Sequence, residues 1–172
     1  MKMMPIDLEK AFGLITPIPY VVITILDAKG KPNAMGVSWV TRTSFDPPLM
    51  LVSIDNSRYS REGLEGHKEY VINYLTPEQT RGAWICGSES GRNEDKLKLA
   101  GLALIPSSTI KTPTIKDAQV ALECRVIDMH ETGDHTIYVA EVLAATTNPQ
   151  KTKHLYYTSD NRLIGMDEKG DR

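Results

Sequence analysis

Cysteine is scarce in this 172-residue chain: Cys86 and Cys124 are the only two. Two thiols cannot make a disulfide framework, and without a CxxC spacing they form neither a redox pair nor a zinc knuckle. Their number fits a reducing cytoplasm. Charge of one sign is also lacking, with 20 Lys and Arg against 22 Asp and Glu and a net charge of −2. That balance provides no broad basic field, which argues against nucleic acid as a partner. Long apolar runs are missing too. The longest uncharged stretch, Ala11 to Leu26, is broken by Pro17 and Pro19 and is shorter than the roughly 20 residues of a spanning helix. No basic segment leads into a continuous apolar run with a small-residue cleavage site. The expectation is therefore a soluble, cytoplasmic protein with no signal peptide and no membrane association.

What is there is an ordinary globular composition, 41% hydrophobic and 24% charged. The length suits one domain over 1–172. A short amphipathic piece around Ile6 to Leu14 comes first. Tyr20 to Asp27 is rich in β-branched residues and, after a turn at Asp27 to Gly30, pairs with Asn33 to Val40 as a hairpin. Leu49 to Ile54 and Glu69 to Leu75 read as further strands, with a helix from Ser57 to Leu64 between them. Thr76 caps a helix beginning at Pro77 and running to about Ile85. A Gly/Ser loop from Cys86 to Arg92 precedes a charged helix over Asn93 to Leu99, and a loop follows between Pro106 and Pro113. Val120, Leu122, Cys124 and Val126 alternate with more polar neighbours as in a half-buried strand. A turn at Glu131 to Asp134 returns the chain as Thr136 to Ala144, and a last hairpin spans His154 to Met166 around Ser159 to Asn161. Many strands with short helices and no βαβ alternation predict a mainly β fold, a closed antiparallel barrel with helices at its rim.

Several familiar chemistries fail on spacing. His130 and His135 bracket Glu131, but they lie five apart and Gly133 interrupts any helix, so the zinc-protease arrangement is absent and no metal is expected. Gly87 and Gly91 do not form GxGxxG; a GxxxxGK[ST] loop and a GxSxG elbow are missing as well.

Three segments carry binding chemistry. In Ser53-Ile54-Asp55-Asn56-Ser57-Arg58-Tyr59-Ser60 a strand gives way to a helix start rich in hydroxyls, with one guanidinium, as an anion site requires. Ser88-Glu89-Ser90-Gly91-Arg92 with Lys96 is a second candidate, in which Gly91 admits close backbone approach. The commonplace alternative for both is a capped helix with solvated charges. Asn33 to Val40 interleaves small and polar residues along a strand, which suits a flat ligand approached by backbone. Trp39 there is either a shield for a ring or simply core.

Taken in order, these segments resemble the flavin reductase-like family. The elements are Asn33-Ala34-Met35 with Ser38-Trp39, Ser44-Phe45-Asp46-Pro47-Pro48-Leu49, Ser57-Arg58-Tyr59-Ser60 and Val71-Ile72-Asn73-Tyr74-Leu75. Cys86 to Arg92 through Asp95-Lys96, Leu122-Glu123-Cys124-Arg125 and Gly133-Asp134-His135 follow. Together they span about residues 10 to 147, and within the family they are similar to the flavoredoxin and archaeal ferric reductase branch. The tail after Asn148 carries no matching element.

The resemblance implies an FMN-binding split β-barrel of Greek-key type, a homodimer, with FMN (or FAD) in a groove near the interface. It implies Arg58, Tyr59 and Ser60 as phosphate contacts, and Ser90, Gly91, Arg92 and Lys96 as phosphate or ribityl contacts. Met35, Ser38, Trp39, Val40, Ser53, Ile54, Asp55 and Asn56 become the lining of the ring and ribityl chain, and Cys86 and Gly87 lie near the cofactor. His135, beside Asp134, is tied to nicotinamide or substrate; a surface turn histidine is the plain alternative. The implied activity is electron transfer from NAD(P)H through flavin to free flavin, ferric iron or a partner protein. A flavoredoxin-like carrier with no NAD(P)H site of its own is the second possibility.

Overall fold

The computed structural model describes residues 3–167. Helix α1 (Leu8–Leu14) leads into β1 (Ile18–Pro19), β2 (Val21–Leu26), β3 (Pro32–Val37), β4 (Val40–Ser44) and β5 (Leu49–Asp55). Next come α2 (Ser60–His67), β6 (Glu69–Tyr74), a 3₁₀ turn (Pro77–Gln79), α3 (Thr80–Ser88) and α4 (Lys96–Ala100). The chain continues through β7 (Leu104–Ile105), β8 (Thr114–Ile115), β9 (Val120–Thr132), β10 (His135–Thr147), β11 (His154–Tyr157) and β12 (Leu163–Met166). No described helix is long and apolar enough to cross a membrane.

Seven strands pair antiparallel in the order β3-β2-β6-β9-β10-β5-β4. The outermost two, β3 and β4, are consecutive in sequence and separated only by Ser38 and Trp39. The sheet must therefore curl until its edges meet at that link, which gives a barrel split along β3. Ser53 N donates to the Trp39 carbonyl at 2.9 Å and ties the link to β5. Inside the curled sheet Val21, Ile23, Ile25, Val52, Ile54, Tyr70, Ile72 and Tyr138 form one core. On the outer face of β2, Val22 packs with Ala83 and Cys86 of α3, Leu97 of α4 and Leu155 of β11. Burial on both faces explains why β2 reads as a continuous apolar run. Between β9 and β10 a two-residue turn places Gly133 at φ +59, a conformation that costs glycine little.

The mainly β class and the barrel are as expected, and so is the last hairpin; Thr76 is the expected cap, in a capping box with Gln79, but the helix expected from Pro77 opens as a 3₁₀ turn before α3. Four further details differ. The strand expected over Asn33 to Val40 ends at Val37, and Val40 opens β4 after the bend. The helix expected from Ser57 starts at Ser60, because Ser57 N is taken by Asp55 Oδ1 at 2.7 Å in a turn. Cys86, Gly87 and Ser88 are not loop but the last residues of α3, since Ala83 and Cys86 give that helix a buried face. The charged helix shrinks to Lys96–Ala100, capped by Asp95 Oδ1 on Lys98 N. In addition α1 buries none of its residues.

Glu123 on β9 fixes the 106–113 loop. Its carboxylate, 2% exposed, accepts from N and Oγ of Ser108 and from N and Oγ1 of Thr109 at 2.6–2.9 Å. Burial opposes ionisation, but those four donors outweigh it and hold the carboxyl below its ordinary value. Glu123→Ala is expected to cost about 2–3 kcal/mol in urea unfolding at pH 7, the size of a lost charge-assisted set with stranded donors. The contribution is complete above the unfolded Glu value of about 4.3 and fades as pH falls through the lower folded one. The difference between wild type and Glu123→Gln therefore narrows in acid. A difference independent of pH would disprove the ionised carboxylate's role.

Candidate active site

Two hollows run along the split and share Met35 and Arg58. The first, of about 130 Å³, is lined by Ser57 to Ser60, Cys86 to Arg92 and Lys96. Residues from Met35 to Trp39, Ser53 to Asp55, and His135 line the second, of about 150 Å³. The groove therefore gathers most of the residues singled out in the sequence. Two stand apart: Val40 packs on the barrel core, and Asn56 Oδ1 accepts from Thr136 Oγ1 at 2.7 Å. Five lining residues, Gly36, Val37, Ser57, Ser88 and Glu89, were not singled out, although each lies inside a segment that was.

The first hollow is lined by three cations, Arg58, Arg92 and Lys96. Lys96 is only 4% exposed, and its Nζ donates to the Cys86 carbonyl at 3.1 Å. Burial lowers its pKa, and Arg58 acts in the same direction; Cys86 and Glu89 counter them. Among the described residues, no ion pair involves Lys96, Arg58 or Arg92. A buried ammonium without an ion-pair partner costs stability unless an anion arrives. The start of α2, which lines the same hollow, has no side-chain cap, so its positive end faces the same space. Arg92 lies over the Tyr59 ring at 5.8 Å, and the Tyr59 hydroxyl donates to Asp27 Oδ2 at 3.1 Å. Gly91 is required for the loop to close: a Cβ there would sit 2.7 Å from Asn33 Oδ1. Asn33, buried on β3, donates in turn to Ser60 Oγ at 3.3 Å and so joins β3 to α2. Burial pushes the Cys86 thiol up to about 11, which keeps it an unreactive wall of the hollow.

The second hollow is flat and partly aromatic. Because β3 is an edge strand, it presents one row of backbone groups to the split, where a planar heterocycle can bond to them. His135 and Trp39 stack with ring centroids 4.4 Å apart at 33°. His135 Nδ1 lies 2.6 Å from Asp134 Oδ1; with the carboxylate accepting, Nδ1 carries the proton and Nε2 is left for a ligand. His130 pairs instead with Asp128 on β9, and no His, Cys, Asp or Glu cluster among the described residues is placed to hold a metal.

Fold and groove together define a split antiparallel barrel with a cationic pocket and a second, partly aromatic hollow along its open edge. The flavin reductase like domain model matches residues 13–164, and the chain belongs to that family. It is 40% identical over 122 residues to an uncharacterized protein of Archaeoglobus fulgidus, covering 71% of this chain and 69% of that one. An NADH:riboflavin 5'-phosphate oxidoreductase of Streptomyces pristinaespiralis is 28% identical, with 83% and 78% covered. The flavoredoxin of Methanosarcina acetivorans superposes with a TM-score of 0.86 at 26% identity, covering 100% of this chain and 95% of that one.

Lys96→Met is expected to raise the melting temperature of the anion-free protein and to abolish its stabilisation by inorganic phosphate. Because the folded Lys96 pKa lies below the unfolded value, the anion-free wild type gains stability as pH rises through the folded value toward about 10.4. Phosphate stabilisation that survives in the variant would remove Lys96 from the anion site.

Proposed function

We propose that this chain is an FMN-dependent oxidoreductase that takes a hydride from NADH or NADPH and passes electrons to a small-molecule or protein acceptor. The observation that carries it is the buried Lys96, in no ion pair among the described residues, which faces an uncapped helix start together with Arg58 and Arg92, next to the open edge of β3. This donor set fits a phosphate monoester. The adjoining flat hollow fits a heterocycle whose polar edge meets β3 backbone. FMN, when bound, supplies the hydride-accepting ring that this chain lacks.

The residues then divide the work. Arg58, Arg92 and Lys96 neutralise the phosphate while Ser57, Ser60 and Ser90 supply hydroxyls. Backbone of Met35 to Ser38 and of Ser53 to Asp55 orients the ring. Asp134 holds His135 against Trp39 at the mouth, where Nε2 can position a nicotinamide carboxamide. No acid or base is assigned to His135, since hydride transfer depends on alignment. The similarity to a solved flavoredoxin favours one other role, an FMN carrier reduced by a partner protein. A homodimer is part of the proposal: α1 leaves Leu8, Phe12 and Leu14 exposed, an apolar face that a second copy can cover.

Anaerobic titration of the FMN-loaded protein with NADPH and then NADH should bleach the visible flavin band; a band that stays oxidised under both points to the carrier. Arg58→Ala with Arg92→Ala is expected to raise the Kd for FMN by about tenfold or more. Unchanged affinity would refute the phosphate cradle. His135→Ala should raise the KM for the nucleotide and leave FMN affinity intact. Light scattering on an eluting peak should report about twice 19.1 kDa, and a monomer mass would refute the dimer.

A further inference from the structure

A third hollow, of about 230 Å³, opens beside the groove between β3, α3 and β11. Tyr20, Trp84 and Tyr157 wall it, and Gly36, Gly87 and Ser88 complete its lining. Gly36 also lines the ring hollow, while Gly87 and Ser88 line the anion hollow, so the three cavities adjoin through backbone. Both glycines are required. A Cβ on either would collide with the Tyr20 hydroxyl, which inserts between β3 and α3 to donate to the Ala83 carbonyl at 3.2 Å.

The walls are aromatic and uncharged. Tyr20 and Tyr157 stack at 6.4 Å and 28°, and the Tyr157 hydroxyl donates to Asn161 Oδ1, which holds its ring in place. Trp84 is 42% exposed and borders a second hollow on its other side, with Thr80 and Leu163. Tryptophan is ordinarily well buried, so an indole facing open space on two sides is not there as core packing. Burial raises the Tyr20 phenol's pKa, and no Asp, Glu, His, Lys or Arg lines the hollow.

We propose, on the basis of the FMN oxidoreductase function above, that this hollow receives the electron acceptor, and that the acceptor is a neutral, planar conjugated oxidant of one or two rings, a quinone by class. Aromatic walls favour a planar ring. An anionic ferric chelate would find no cation here, since Arg58, Arg92 and Lys96 belong to the neighbouring hollow. A flavin phosphate would find no cation among the hollow's lining residues either. The overall reaction balances: NAD(P)H loses a hydride and becomes NAD(P)⁺. The quinone gains that hydride's two electrons and proton together with one proton from solvent, and leaves as the hydroquinone.

The probe is menadione. Calorimetry should show it binding the FMN-loaded wild type, with a Kd about tenfold weaker in Trp84→Ala and in Tyr157→Ala. In turnover the same variants should raise the KM for menadione about tenfold, leave the KM for NADPH within twofold and leave ferric citrate reduction unchanged. Unchanged menadione Kd in both variants would overturn the subsite, as would tighter binding of riboflavin than of menadione. Failure of the FMN oxidoreductase function would look different. The flavin band would then stay oxidised under NADPH, while menadione binding and its loss in Trp84→Ala would still register by calorimetry.

Discussion

The structure depends on the two-residue link of Ser38 and Trp39 between the outermost strands of its sheet. A seven-stranded sheet whose first and last strands are neighbours in sequence cannot lie open, because so short a link cannot span it. It closes, but without a ladder between β3 and β4. The result is a barrel with one unpaired seam, and an unpaired seam needs management. Here its backbone lines a groove. The same bend presents Trp39 to the mouth, where His135, opposite Asp55 in the β5–β10 ladder, meets its ring.

The groove's electrostatics are the less expected part. A solvated lysine contributes little to affinity, since water and salt already compensate it. Lys96 is different because α3 and α4 fold over it, with a single carbonyl as its partner in place of water. The fold thus carries a desolvated cation whose cost a phosphate can offset. Two of the carboxylates nearby are engaged elsewhere: Asp27 accepts from the amides of Lys29 and Lys31 and from Tyr59, and Asp95 pairs with Lys31. Glu89 lines the same hollow and acts on Lys96 through space, without an ion pair among the described residues. An acid close enough to neutralise Lys96 would have filled the site from within.

Much of this is legible in the sequence, and the limits are physical. The strands read correctly because β-branched runs and alternation report burial directly, as in β2 and β9. The two polar segments that line the first hollow are visible because hydroxyls, glycine and guanidinium cluster in sequence. Depth is what sequence withholds. Lys96 reads as one charge among several in a polar helix, and only the packing of α4 against α3 turns it inward. The end of α3 is missed for a related reason: Gly87 and Ser88 suggest a loop, yet Ala83 and Cys86 bury one face of the helix and tertiary packing overrides local preference. Asn33 reads as part of a strand, while its bond to Ser60 and its clearance from Gly91 require three elements that are distant in sequence.

Tyr20 shows how closely the cavities are coupled. It belongs to the outer core, stacks on Tyr157 and places its hydroxyl between Gly36 and Gly87. Those glycines are where the groove along the split and the aromatic hollow adjoin. A larger residue at either would push α3 from β3, and Cys86, whose carbonyl holds Lys96, would move with the helix. The spacing of the cationic hollow and the width of the aromatic one are therefore set by one phenol. A substitution made to enlarge the aromatic hollow at Tyr20 would disturb the cationic one as well, whereas Trp84 and Tyr157 stand on the outer walls, away from the Gly36–Gly87 contact.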